Sequence, residues 1–427
     1  MRFLVILLAV LAAAPAWGQG RNNYGSIYSR YGVGQRMDFS TSQAAALGGA
    51  GVATRSGIYT TLTNPALWSD LSVTTFNAAA SVTGTRASDA FSEADAQATA
   101  GELEALHLGL PLIPGRLGFV AAYRPYSRVN YRAAVPGELI AEGDTATYSI
   151  NQEGSGGLQV LSTGLGLRLG PAVQLGASAD VHFGTVEYLQ RTAFDQPQYT
   201  ETRQAEATQL NGVSATFGGA LTLRKLAADN DGLTIGGSVS LPVGLDGTRT
   251  RTLGESLDRD TVSAELPAEV TLPLTARAGL SYRSGSRFLV ATDVQYEPWS
   301  SFESTVPFAG YDPDGTRDLD DRLRVGGGIE FTPAGVNRRA SMFRRAAYRL
   351  GAYTDGGVAA PAGESIRTTA VTAGISLPTR LSGARFDLGL EAGTRGSEDG
   401  VLVRDQYLKG TLTINFGERW FVRRRLD

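Results

Sequence analysis

His107 and His182 are the only two histidines in the 427-residue chain. They bound any acid–base chemistry that needs a group titrating near neutral pH. His182 stands two residues from Asp180, which puts the two side chains on one face of an extended strand. A Ser–His–acid hydrolase is built from these residue types, but it also needs an activated serine, and nothing in the sequence marks a nucleophile. The two histidines fall in different strands without the spacing of metal ligands, and the chain has no cysteine. Disulfides and thiolate metal sites are therefore excluded. We expect no catalytic residue, no metal and no cofactor.

The elements that carry these residues follow a period of two from about residue 71 onward, the signature of β-strands. Val173, Leu175, Ala177, Ala179, Val181 and Phe183 oppose Gln174, Ser178, Asp180 and His182. Leu408, Gly410, Leu412, Ile414 and Phe416 oppose Lys409, Thr411, Thr413 and Asn415. Fourteen such segments are counted, the first at 71–84 and the last at 404–418, an even number as a bacterial single-chain barrel requires. The opposed faces carry charges of both signs at central positions, among them Arg168, Asp180, Arg277, Asp293 and Glu297. Unpaired, each would cost several kcal/mol in a dry core. A polar lumen removes that cost, with the charges paired and holding whatever fills it. A one-sign ring for ion selection is missing. The fold class expected is all-β: a transmembrane antiparallel β-barrel of about 14 strands with an N-terminal lumenal plug.

Compact links at 113–116, 169–171 and 283–286 read as periplasmic turns. The polar stretches 136–156, 194–205, 246–265 and 303–320 read as extracellular loops. Tyr123, Tyr126, Tyr188, Tyr296, Trp299, Trp420 and Phe421 are candidates for aromatic girdles at the membrane interfaces.

At the N-terminus, Arg2 precedes an apolar run from Phe3 to Ala14, and Ala16-Trp17-Gly18 supplies a small-residue cleavage site. This is the layout of a Sec signal peptide, residues 1–18, and the run is too short to cross a bilayer as a helix. With 39 basic against 42 acidic residues there is no basic stripe for nucleic acid. The 53 glycines follow no collagen-like period and suit short strands and turns. The expected organisation is a plug at 19–70, a barrel at 71–421 and a solvated tail at 422–427 with Arg423-Arg424-Arg425. The expected location is the Gram-negative outer membrane.

The stretch that opens Gln43-Ala44-Ala45-Ala46-Leu47-Gly48-Gly49-Ala50-Gly51 and ends Thr63-Asn64-Pro65-Ala66 stands just before the first strand. This Gly-rich entry with its Asn-Pro-Ala motif resembles the FadL-type outer-membrane transporters of long-chain fatty acids and other hydrophobic compounds. The stretches Ile27 to Gly34 and Asn415 to Phe421 look like divergent counterparts of that family, and the order of parts agrees over nearly the whole chain. The resemblance implies passive uptake of a hydrophobic small molecule or lipid, which binds in apolar pockets at the plug and leaves sideways through the wall. An apolar chain gains nothing by crossing a watery lumen. Asn64, Pro65 and Ala66 are the candidate plug and gating motif; Pro65 holds Asn64 to extended or turn backbone. Pro111, Pro114 and Pro125 are the candidates for the strand kink that opens the wall. Barrels similar to this family also act as shuttle components of type IX secretion, so exported proteins are the alternative partners, and an open porin is a third reading.

Overall fold

The computed structural model describes residues 24–90, 95–141, 144–196, 199–254, 261–379, 384–398 and 402–418. The signal-peptide segment, the 422–427 tail, Trp420 and Phe421 lie outside the described residues. The chain closes into a 14-stranded antiparallel barrel around an N-terminal plug. In chain order the strands begin with β1 Thr74–Asp89, β2 Ala96–Ile113 and β3, which comes in two segments, Leu117–Pro125 and Tyr131–Ala141. β4 Asp144–Arg168, β5 Val173–Phe194 and β6 Thr202–Arg224 follow. β7 is Asp231–Ser240 with Val243–Gly254, β8 is Thr261–Leu272 with Thr275–Ser284, and β9 is Phe288–Glu297. The circuit ends with β10 Arg322–Phe331, β11 Ala347–Asp355, β12 Thr368–Pro378, β13 Arg385–Arg395 and β14 Val403–Glu418. β14 pairs with β1 from Thr74↔Glu418 to Asp89↔Val403, which closes the sheet.

The alternation has the orientation that a bilayer demands. Val173, Leu175, Val181 and Phe183 are exposed on the outside of β5, whereas Gln174, Ser178, Asp180 and His182 are buried inside. Leu165, Phe217, Ile235, Leu280, Val290, Leu350 and Leu408 continue the exposed apolar belt around the barrel. An apolar exterior with polar groups inside is stable only when the exterior meets lipid.

Strand lengths are uneven. β4, β5 and β6 have 25, 22 and 23 residues, against the roughly 9–11 that cross a membrane. They continue past the membrane as a tall ribbon that runs from β3 to β8. The stretches 136–156 and 246–265, expected to be loops, are mostly strand in this ribbon: Tyr131–Ala141 pairs with Asp144–Gly154, and Val243–Thr252 pairs with Thr261–Leu272. Outside the bilayer an outward face need not be apolar, so the alternation that identifies a strand fades there.

The ribbon encloses an apolar core that fills the wide end of the lumen. Tyr28, Tyr31 and Val33 of the plug, Leu158 and Leu210 of the wall, and Trp299, Phe302, Phe308 and Tyr311 of the β9–β10 link pack together. Tyr126, Tyr188 and Trp299, expected in a membrane girdle, belong to this interior. Tyr188 donates its hydroxyl to the carbonyls of Arg30 and Gly32, 3.1 Å each. Tyr296 does remain exposed. At the opposite end the links are short, with the exception of Phe331 to Ala347, which carries the short helix Met342–Arg345.

Candidate functional site: a docked plug beside a break in the wall

Asn64 organises the plug where it enters the barrel. It is fully buried and caps a 3₁₀ turn, Pro65–Asp70, with Pro65 at the first position. Its Oδ1 accepts from the Ala66 amide at 3.0 Å, and its Nδ2 donates to the carbonyls of Val52 (2.8 Å) and Gly219 (3.1 Å). One side chain thus ties the cap, the plug loop and strand β6 together. Pro suits the first position because its missing N–H would have no partner there.

The wall makes room for this turn by omitting side chains. A Cβ on Gly218 would lie closer than 3.0 Å to Asn64 Oδ1, and one on Gly166 or Gly176 would run into the backbone of Pro65. On the far side a Cβ on Gly326 would strike the carbonyl of Gly48, and Gly328 faces Leu47. The run Gly326-Gly327-Gly328 is a seat for the plug backbone.

Charges lock the rest. Arg36 of the plug makes a two-pronged contact to Glu297 at 3.1 and 2.9 Å, while its guanidinium lies 3.7 Å from the centre of the Tyr126 ring. Arg322 is 2% exposed and contacts Asp38 of the plug, Asp355, and Glu297 at 3.3 Å. Burial pushes the Asp38 carboxyl up, but Arg322 and Arg324 hold it well below the usual carboxylate range. Arg168 pairs with Asp70, which Arg55 also grips at 2.6 Å. Asp293 accepts from the amides of Gly51 (2.6 Å) and Val52 (2.7 Å). Of the six wall residues expected to line the lumen, Arg168, Asp293 and Glu297 bind the plug directly. Arg277 instead donates to Gln295 at 2.9 Å, and Asp180 accepts from Thr216 at 2.6 Å. His182 stands edge-on to Tyr126 with ring centres 5.2 Å apart. Ser178 donates to Asp180 at 3.2 Å, and among the described residues no serine hydroxyl bonds either histidine, so the order of a hydrolase triad is not formed.

The wall is interrupted between β2 and β3. β2 pairs with β3 only from Leu106 to Ile113, and the second segment of β3 pairs only with β4. Residues 96–105 and 131–141 thus face each other without a ladder. Between the two segments the chain turns inward, and Ser127–Arg128 pairs with Gln35–Arg36 of the plug. Gly156 and Gly157 of β4, both at positive φ (91° and 124°), allow the detour; a Cβ on Gly157 would run into the Ser127 carbonyl. One side chain bridges the opening. Arg128 Nη1 lies 3.0 Å from Glu102 Oε1, and Nη2 is 3.4 Å from the Gly101 carbonyl. Pro125 ends the first segment of β3 at the edge of this break. Pro111 and Pro114 do not reach it: Pro111 pairs with Gly118 beside the tight turn that holds Pro114, where proline simply ends ladder pairing.

Behind the break is a cavity of about 200 Å³ between plug and wall, lined by Glu102, Glu104, Arg128, Asn130, Glu391 and Lys409 among others. The resemblance led us to expect an apolar pocket at the plug. This one is mixed: Tyr28, Met37, Phe39 and Ile366 line it beside the ion-paired Arg36, Asp38, Arg322 and Arg324. Arg36, Asp38, Arg322 and Arg324 were not anticipated as site residues. Their signal was the i, i+2 spacing of Arg36 with Asp38 and of Arg322 with Arg324.

The plugged 14-strand antiparallel barrel has the fold of the FadL-type outer-membrane barrels. The chain belongs to the BamG family, whose model matches residues 1–427. Among solved structures it is similar to the Ralstonia pickettii toluene transporter TbuX, at 15% identity and a TM-score of 0.57, covering 88% of this chain and 97% of that one. A Pseudomonas aeruginosa FadL homologue gives 11% identity and a TM-score of 0.57, covering 90% and 99%. The Pseudomonas putida toluene transporter TodX gives 14% and 0.54, covering 90% and 100%. At these identities the likeness is one of fold. No functionally curated protein matches the chain.

Proposed function

We propose that this barrel passes hydrophobic small molecules across the outer membrane without an energy source, by way of the break between β2 and β3. The observation that carries this reading is the break itself, which borders the plug-side cavity and is bridged by Arg128 alone among the described residues. A lining that sets apolar Tyr28, Phe39 and Ile366 beside charged groups suits an amphiphile better than a bare hydrocarbon, since a buried charge needs a polar partner. Long-chain fatty acids are the amphiphiles that the resemblance suggests, and outer-membrane lipid is the other candidate. The plug motif around Asn64 holds the hatch shut from below, so the lumen itself need not open. That packing also argues against an open, water-filled porin.

One observation favours a protein partner as the second reading. The segment Tyr131–Ala141 pairs on one side only, and it exposes Val135 and Ile140 on the tall ribbon. A free strand edge with apolar side chains is a surface that another chain can extend, as an exported protein would. Extraction of the purified barrel in a short non-ionic detergent, followed by mass spectrometry, separates the two. A stoichiometric acyl chain supports passage; an empty barrel that carries exported proteins with it supports the partner reading and overturns the first.

A further inference from the structure

The passage reading leaves open what kind of head group the cavity accepts, and the wall of β2 answers with a β-bulge. Ala79 pairs with Ala105 and Ala80 with Leu103, so Glu104 is the extra residue on β2. A bulge re-aims a side chain; here Leu103 is exposed to lipid while Glu104 is 1% exposed and points inward. Its Oε1 accepts from Ser81 at 2.6 Å and lies 2.5 Å from Lys409 Nζ. Its Oε2 has no partner. A buried carboxylate oxygen without a donor is costly, and it marks a place where a donor belongs.

The surroundings set the charge of that donor. Lys409 feels the charge of Glu104, Glu391 and Glu102 together. Glu391 accepts from the hydroxyls of Tyr353 (2.5 Å) and Tyr407 (2.8 Å). The second cation at this corner is Arg128, which reaches Glu102 from across the break. If Arg128 moves with the opening, Lys409 is the one cation left within 4 Å of Glu102 or Glu104 among the described residues, while Arg324 and Arg395 line the cavity further off, beside Tyr353 and Tyr407. At this level the outer faces of β1, β2 and β14 expose Val82, Leu103 and Leu408, so the corner lies beside the bilayer.

Resting on the passage reading, we propose that the cavity binds the head group of an amphiphile ending in an ammonium group. The cation takes the place of the Arg128 guanidinium at Glu102, shifts inward toward the free oxygen of Glu104 on the same cavity wall, and leaves the alkyl chain lying out through the break. Arg128 is then an internal competitor for the ligand as well as a latch. This narrows the two amphiphiles named for the passage reading to an amine-bearing lipid, since the carboxylate of a fatty acid would meet Glu102 and Glu104.

The test is native mass spectrometry of the detergent-exchanged barrel with lyso-phosphatidylethanolamine and with lyso-phosphatidylglycerol of the same chain length. Wild type is expected to retain the amine-bearing lipid about tenfold better, a difference of about 1.4 kcal/mol. Arg128→Ala should tighten that binding several-fold, and Glu104→Gln should abolish the preference. Glu102→Gln, which leaves the Lys409–Glu104 pair intact, serves as a second variant should Glu104→Gln fail to fold, and it should weaken the preference too. A residue of merely structural importance would not make one substitution tighten binding and its partner's loosen it. Equal retention of both lipids in every variant overturns the head-group assignment but leaves lateral passage standing. Retention of neither lipid also overturns the assignment, and passage is then decided independently by locking the break.

Discussion

The side-chain oxygen of Asn64 occupies the space that a Cβ on Gly218 would need. Plug and wall are therefore fitted to each other at the level of single atoms, and a substitution on the wall should act on the plug. Gly218→Val is expected to leave the barrel folded, as judged by faster migration before heating than after, while the plug becomes open to protease and single-channel conductance rises. Unchanged conductance with a protected plug would show that this seat does not hold the hatch.

Asn64→Ala removes a helix cap and two hydrogen bonds that reach separate parts of the molecule. The expected loss is about 1–2 kcal/mol, read from urea unfolding of the purified protein. Asn64→Asp keeps the cap acceptor but turns a buried carboxylate oxygen toward the Val52 and Gly219 carbonyls, so it should destabilise more than the alanine variant.

Arg322 neutralises carboxylates on the plug and on the wall at once. Arg322→Met leaves three buried carboxylates, Asp38, Asp355 and Glu297, to share Arg36 and Arg324 alone, and should destabilise by about 3–5 kcal/mol. Arg86→Ala is the control. Its side chain is 62% exposed in a surface pair with Asp95, and its loss should change stability by less than about 1 kcal/mol.

Arg128→Ala should behave differently from both. The arginine is about one-third exposed, so stability should move by less than about 1 kcal/mol, but the break should open. A cysteine placed at Asn130, in a chain that has none of its own, is expected to react several-fold faster with a membrane-soluble maleimide in that background. Equal rates would mean that something other than Arg128 closes the wall.

The membrane-crossing part of this fold was legible because lipid on one side and charge on the other force strict alternation, as on β5 and β14. The tall ribbon was not, since both of its faces may be polar once the strands leave the bilayer. Pro125 marked the edge of the break, yet Pro111 and Pro114 carried the same signal for a turn. The stronger cue lay on the neighbouring strand, where Gly154, Gly156 and Gly157 give the detouring chain room. The bulge left a trace as well: Glu102 and Glu104 face inward on even positions and His107 on an odd one, a change of phase within six residues. The ion-pair hub around Arg322 joins residues far apart in the chain, and no local pattern records such partners.

The central claim is that molecules pass through the break between β2 and β3, and locking that break tests it most directly. Cysteines at positions 102 and 128 would be joined by a short reducible thiol-to-thiol linker, with the barrel in proteoliposomes. Uptake of a fluorescent alkyl ligand is expected to fall to the protein-free rate when the linker is closed and to recover on reduction. Uptake that is unaffected by the closed linker would contradict the account and place the route elsewhere.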